Sequence, residues 1–262
     1  MTSLKILSLH AHPDDAEILA GGTLALLAAL GHSVTIATMT AGDCGSAEMN
    51  AETIAGVRRK EARRAAAMIG AGYDCLEFKD LAIFVDDASR RRVTAALRKH
   101  RPDIVITASP RDYHCDHEAT SSLVRDACFG ISAPNYDCSD HGTDPSTDRI
   151  PHLYFMDPVE GIDRDGNPIQ PQFLVDIGAR FGLKREMLAQ HDSQRSWLLR
   201  QHGMDDYLRT MEDWTRQRGG LAGVEFGEGF RQYTGHPYPR TPLLQDLLGR
   251  VVTILDTPAV HS

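Results

Sequence analysis

With 262 residues, 42% of them hydrophobic and 24% charged, the chain has the composition of a globular protein long enough to bury a substantial core. A formal net charge of −8 argues against nucleic acid as a partner, because neutralising phosphates requires a basic surface. No apolar run reaches bilayer-spanning length, no signal peptide is legible, and the five cysteines (Cys44, Cys75, Cys115, Cys128 and Cys138) follow no disulfide or C-x-x-C pattern, so the expectation is a reduced, cytoplasmic protein with no membrane partner.

The first half of the chain alternates strand and helix. Apolar and β-branched runs predict strands at 4–10, 33–39, 73–78 and 103–107, and helical periodicity predicts helices at 18–30, 52–69 and 87–99. Gly31 and Gly70 follow the first two helices, where a left-handed residue commonly ends a helix, and Pro102 stops the third from continuing. Such alternation implies an α/β, Rossmann-like fold: a mostly parallel sheet flanked by helices. A helix from 118 to 129 comes next, then a loop-rich insertion over 130–171 that contains a strand at 151–156. A short strand at 173–177 and helices at 179–190 and 203–217 follow. Residues 219–262 are Gly-rich, then Pro-rich, with a last apolar helix at 242–253; they read as a less regular C-terminal extension of one domain spanning 1–262.

Chemistry concentrates where the first strand becomes the first helix, in His10-Ala11-His12-Pro13-Asp14-Asp15-Ala16-Glu17. Ligand sites of open α/β sheets lie at such carboxyl ends of strands. With strand order 3-2-1-4, the fourth strand lies beside the first, and Ser109 to His117 faces the opening motif across one crevice. His12 and His117 with a carboxylate form the donor set of an open catalytic zinc site, and Fe2+ accepts the same ligands. Spacing leaves open which of Asp14 and Asp15 is the ligand; the other is free to take a proton from water or to cap the helix. His114, three residues before His117, is placed to protonate a leaving group or stabilise an oxyanion, and Asp116 to orient that ring or cap the next helix. Glu17 reads as compensation of the helix dipole, His10 as packing beneath the site, and Arg58 with Glu61 as an ordinary helix-surface pair. The glycines of Thr40 to Ser46 permit close backbone approach to a ligand, and His191 to Gln194 carries no assignable role.

These motifs resemble those of the PIG-L/LmbE superfamily of zinc-dependent N-deacetylases. The matching stretches are Ala11-His12-Pro13-Asp14-Asp15-Ala16-Glu17 with Gly21-Gly22-Thr23, Thr40-x-Gly42-x-x-Gly45, Arg58-x-x-Glu61, His114-x-Asp116-His117 and His191-x-Ser193-Gln194. The resemblance implies that His12, Asp15 and His117 bind zinc and that Asp14 is the general base. It further implies that His114 stabilises the tetrahedral intermediate with Asp116 orienting it, that Arg58 holds substrate, and that the chain forms a homo-oligomer. Cys115 stands where the family usually has proline. The implied reaction removes an acetyl group from an N-acetylated amino-sugar conjugate of N-acetylglucosamine type. Three alternatives share parts of this pattern. One is an amidase acting on a larger thiol S-conjugate or glycopeptide, and another is a two-metal phosphoesterase. The third is a non-catalytic Rossmann-like module, which the absence of G-x-G-x-x-G from the opening loop disfavours.

Overall fold

The computed structural model describes residues 2–142, 144–196 and 206–255. At its centre β1 (Lys5–His10) pairs in parallel with β2 (Ser33–Thr40) on one side and β4 (Ile104–Thr107) on the other. Strand β3 (Gly72–Phe78) flanks β2, and β5 (His152–Met156) extends the parallel sheet beyond β4. Three further strands, β6 (Phe173–Asp176), β7 (Gly227–Tyr233) and β8 (Val252–Ile254), run antiparallel to their neighbours, giving the order β3-β2-β1-β4-β5-β7-β6-β8.

Because successive strand residues point to opposite faces, the central strands feed two cores. Ile6, Ile104 and Ile106 pack with Leu24 and Leu27 of α1 (Asp15–Ala29) and Ala65 of α2 (Ala51–Ala67). Leu7, Leu9 and Val105 pack on the other face with Val93 and Leu97 of α3 (Asp87–His100) and Leu123 and Val124 of α4 (Cys115–Gly130). The crossover helices thus change face between β1 and β4, which opens a crevice at the carboxyl ends of those two strands. The four expected strands, their order and the first four helices fall where periodicity placed them.

The tail departs from expectation. Residues 227–233 do not trail off the domain but form β7, between β5 and β6. Gly227 and Gly229 lower its intrinsic strand preference, which hid it. Helix α5 (Phe181–Leu188) and helix α6 (Asp206–Gly220) match the expected segments, except that 203–205 lie outside the described residues. The last apolar segment is α-helical only over α7 (Leu243–Leu248), then makes a 3-10 turn at Gly249–Val251 before it becomes β8. No helix among the described residues is long and apolar enough to cross a membrane.

Strand β7 also reaches back to the opening motif. Glu228 accepts hydrogen bonds from the backbone amides of Gly22 (2.9 Å) and Thr23 (2.7 Å) in the middle of α1, and from Lys184 Nζ of α5 at 2.7 Å. The Lys184 and Glu228 side chains are each 1% exposed, so the pair is fully desolvated. Gly22 also lets Ile177, just after β6, pack on the same turn of α1, since a Cβ there would lie 2.6 Å from Ile177. Removing one partner of a buried ion pair typically costs about 3–5 kcal/mol. Glu228→Ala should lose stability in that range by urea unfolding. Lys184→Met should lose less, because the two α1 amides still satisfy the carboxylate.

A second pair makes stability depend on pH. Asp74 of β3 accepts from His100 Nε2 (2.8 Å) and Lys99 Nζ (2.7 Å) at the end of α3. The His100 bond, and after it Lys99, hold this carboxyl well below the usual carboxylate range against partial burial. A depressed carboxyl pKa contributes stability above its unfolded value, about 3.9, and loses it as pH falls toward the folded value. Asp74→Asn should therefore melt below wild type at neutral pH, and the gap should narrow as pH falls below about 4.

Candidate metal centre and active site

The backbone leaves β1 through Ala11 and His12 and enters α1 at Asp15, whose Oδ2 accepts the His12 amide at 2.9 Å. Asp14 occupies the N-cap position of α1 at φ 106°, ψ −26°, and its side chain makes no capping bond. That overturns the capping alternative for Asp14. A non-glycine residue so far into positive φ costs roughly 1–3 kcal/mol and persists only where its surroundings enforce it. The enforcing contacts are visible. Arg58 of α2 donates to Pro13 O at 2.7 Å and lies 3.5 Å from Asp14 Oδ1, and Tyr207 of α6 donates to Asp14 Oδ2 at 2.5 Å. Arg58 is packed against Gly42 (φ +75°), where a Cβ would lie 2.3 Å from Nη1.

On the other wall, His114 precedes α4 and its Nδ1 accepts the Asp116 amide at 3.1 Å, so the cap of this helix is an imidazole and not Asp116. One turn on, His117 Nε2 faces His12 Nδ1 at 3.3 Å. Asp15 straddles the pair, with Oδ1 3.4 Å from His117 Nε2 and Oδ2 3.7 Å from His12 Nδ1. The far nitrogen of each ring meets another carboxylate: Asp112 Oδ1 lies 3.0 Å from His117 Nδ1, and Asp116 Oδ2 lies 3.3 Å from His12 Nε2. A ring nitrogen beside a carboxylate carries the proton, so in the neutral rings the two facing nitrogens present lone pairs to one point. Donors held about 2.0–2.2 Å from a tetrahedral ion are about 3.3 Å apart, close to the spacing found here. These residues fit a divalent cation held by His12, Asp15 and His117.

The protonation preferences say the same. Burial disfavours charge on His12, but Asp116 and Asp15 outweigh it and hold the imidazole up at about 9. Burial is likewise outweighed at His117, where Asp15 and Asp112 raise the pKa well above the ordinary value. Asp15, despite burial, is held well below the carboxylate range by His117 and His12. Without a metal, protons supply the positive charge this cluster demands. Asp14 behaves oppositely: burial raises its pKa, with Arg58 opposing. Burial and the neighbouring rings of His12 and His117 lower His114. His10 is fully buried below, with Nε2 2.6 Å from Ser8 Oγ, and burial pushes it down to about 4.

One expected role is corrected. The Asp116 carboxylate does not orient His114; it holds His12 and accepts the amide of Leu81 at 2.7 Å. The start of α4 turns that carboxylate across the crevice toward β1. Glu17 and the Arg58–Glu61 pair are not surface groups either. Glu17 is 1% exposed with Oε1 3.6 Å from His191 Nε2, and Glu61 accepts from Ser193 N (2.9 Å) and Oγ (2.6 Å). Gln194 Nε2 donates to Gly45 O at 2.9 Å, so the segment after α5 pins the loop after β2 beside the site. Cys115 is exposed, its thiol 3.9 Å from Asp116 Oδ1.

A cavity of about 390 Å³ joins these elements; Asp14, Asp15, Arg58, His12, His114 and His117 all line it, as do Asp80, Tyr113, Gln194 and Tyr207. Sequence reasoning missed Asp112, Asp80 and Tyr207. Asp112 stands five residues before His117 in an irregular loop and carries no periodic signal. Tyr207 lies 193 positions from the Asp14 it bonds.

The family profile for PIG-L, described as GlcNAc-PI de-N-acetylase, matches residues 7–128, which include every proposed metal ligand. The diacetylchitobiose deacetylase of Thermococcus kodakarensis is 28% identical over 242 residues, covering 88% of this chain and 84% of that protein. The solved N,N'-diacetylchitobiose deacetylase of Pyrococcus horikoshii superposes with a TM-score of 0.73 at 28% identity, covering 92% and 89% of the two chains. A 4-oxalmesaconate hydratase of Pseudomonas putida is 28% identical over 138 residues, covering 50% of this chain and 54% of that enzyme.

Carboxylates that orient metal-binding histidines are worth about 10- to 100-fold in metal affinity. Asp112→Asn should weaken binding of a divalent transition metal to that extent in a chelator competition. The same substitution at Asp116 should act through His12 to a similar degree.

Proposed function

For a chain whose residues 7–128 match the PIG-L family of de-N-acetylases, we propose a metal-dependent N-deacetylase that hydrolyses the acetamide of an N-acetylglucosamine-type substrate. The observation that carries this reading is the convergence of His12 Nδ1, His117 Nε2 and Asp15 on one point, with a second carboxylate, Asp14, left over beside it. A divalent cation held there supplies a Lewis acid for the acyl carbonyl and lowers the pKa of water. Zinc suits this donor set, and Fe2+ is the alternative.

The chain's own residues account for the rest. Asp14 is the general base: burial raises its pKa toward the working range of a proton acceptor, while Arg58 and Tyr207 fix its direction. Pinned at positive φ, its carboxylate is turned out of the helix and into the cavity. His114 borders the same cavity, its ring centroid 4.9 Å from those of both His12 and His117, and donates a hydrogen bond to the oxygen of the tetrahedral intermediate, while the proton that Asp14 takes from water passes to the departing amine. Its Nδ1 is occupied by the Asp116 amide, which leaves Nε2 as the working nitrogen. Arg58, buried between Asp14 and the loop after β2, lines the substrate cavity and offers it a positive charge.

Proton transfer by a positioned side chain is worth about 100- to 10,000-fold. Asp14→Asn should retain one equivalent of metal and lose turnover within that range, measured as acetate released from N-acetylglucosamine and diacetylchitobiose. His12→Ala or His117→Ala should lose the metal itself. Wild-type turnover by Asp14→Asn would remove Asp14 from the reaction. Hydration of 4-oxalmesaconate, with no acetate from any amide, would favour the hydratase chemistry named for the Pseudomonas relative.

A further inference from the structure

The cleft does not end at Asp14. Beyond it lies a second chamber of about 390 Å³, walled by Ile18 of α1, Val159 after β5, and Met211 and Trp214 of α6. Ile18, Tyr113, Val159 and Tyr207 border both chambers, so the two lie side by side. Their chemistry differs sharply. The first is lined by the imidazoles, carboxylates and Arg58 described above, whereas among the described residues Asp206 is the one charged group lining the second. Met211 and Trp214 are 2% and 6% exposed and belong to the packed interior, so the floor of this chamber is rigid.

Two residues tie it to the reacting centre. Tyr207 donates to Asp14 Oδ2 at 2.5 Å and is at the same time a wall of the apolar chamber. Tyr113 stands edge-on to His114 and His117, at centroid distances of 5.8 and 5.5 Å, yet remains 60% exposed. An aromatic ring left bare at the junction of a polar and an apolar chamber is a surface a ligand covers. A free amino sugar would fill the polar chamber and leave the apolar one to water with few hydrogen-bonding partners. Replacing such water with an apolar group gains affinity.

Resting on the deacetylase reading above, we propose that this chamber is a subsite for an alkyl or aryl group of the substrate, carried as the acyl chain on the scissile nitrogen or as the aglycone of the sugar. Each methylene buried there should lower KM about three- to fourfold, the equivalent of the transfer free energy of one CH2.

The test uses the full metal-loaded chain and two substrate series. One extends the acyl group of glucosamine from acetyl through butanoyl to hexanoyl; the other extends the aglycone of N-acetylglucosamine from methyl through butyl to octyl. KM falling by that factor along one series and not the other supports the subsite and names the source of the group; a fall along both supports it for either source. Thr210→Trp, which places an indole in the chamber from the exposed side of α6, should flatten the responding series. If N-acetylglucosamine is turned over and both series are flat, the subsite is overturned and the deacetylase reading stands. If nothing releases its acyl group, the deacetylase reading falls and calorimetry with octyl glucoside below its micellar concentration decides the subsite. Binding by wild type that Thr210→Trp abolishes supports it; equal binding by the two proteins, or none, overturns it.

Discussion

Two imidazole nitrogens aimed at one another at 3.3 Å form the constraint on which the rest of the site depends. Neutral rings with both outer nitrogens protonated toward Asp112 and Asp116 would place lone pair against lone pair. The arrangement is stable only with a positive charge between them, supplied by a proton or a metal ion. Every carboxylate in the immediate surroundings contributes to that demand. Asp15 straddles the gap, Asp112 and Asp116 hold the outer nitrogens, and Asp80 comes within 4.0 Å of His12 Nε2, with its buried Oδ1 otherwise unpartnered. A cluster so rich in negative charge and so little exposed is costly without a cation and well matched to one.

The same crowding explains why Asp14 stands apart. Its neighbour Asp15 is drawn into the charged pair, while Asp14 is turned the other way by a backbone twist and anchored to Arg58 and Tyr207. Adjacent aspartates therefore occupy opposite electrostatic settings, one held deprotonated by imidazolium partners and one pushed up by burial. Separation of two carboxyl groups in this way is how one site obtains both a permanent anion and a proton acceptor. The buttress behind Arg58 is long-range: Glu61 holds Ser193, Gln194 holds Gly45, and Glu17 meets His191.

The sequence carried the parallel half of the fold and the two histidine-bearing loops plainly, because alternating apolar strands and amphipathic helices leave strong periodic signals and the loops fall at their junctions. What it concealed has a common physical cause. Asp112 and Tyr207 act through irregular backbone or across great sequence separation, where no period links donor to acceptor. In β7 the buried positions are not written in hydrophobic residues alone. Glu228 and Phe230 share one face, and the charge of Glu228 is neutralised by Lys184 from another element. Sequence proximity pairs the Asp116 side chain with the nearer histidine, yet the turn into α4 spends the Asp116 amide on that ring and delivers the carboxylate to the farther one. Motif spacing identifies which residues gather, and only the local backbone path decides which of them touch.

The reach of β7 into α1 has a consequence for how the protein is made. All three proposed metal ligands are in the chain by residue 117, but the carboxylate that seals the middle of α1 comes with Glu228, 206 positions after the Gly22 amide it accepts. Until then Lys184 has no counterion, the amides of Gly22 and Thr23 lack this acceptor, and β6 has no β5-side neighbour. A nascent or clipped chain ending before β7 holds every proposed site residue on an unfinished sheet. Residues 227–233 thus close, late in the sequence, a framework whose proposed ligands all stand in its first half.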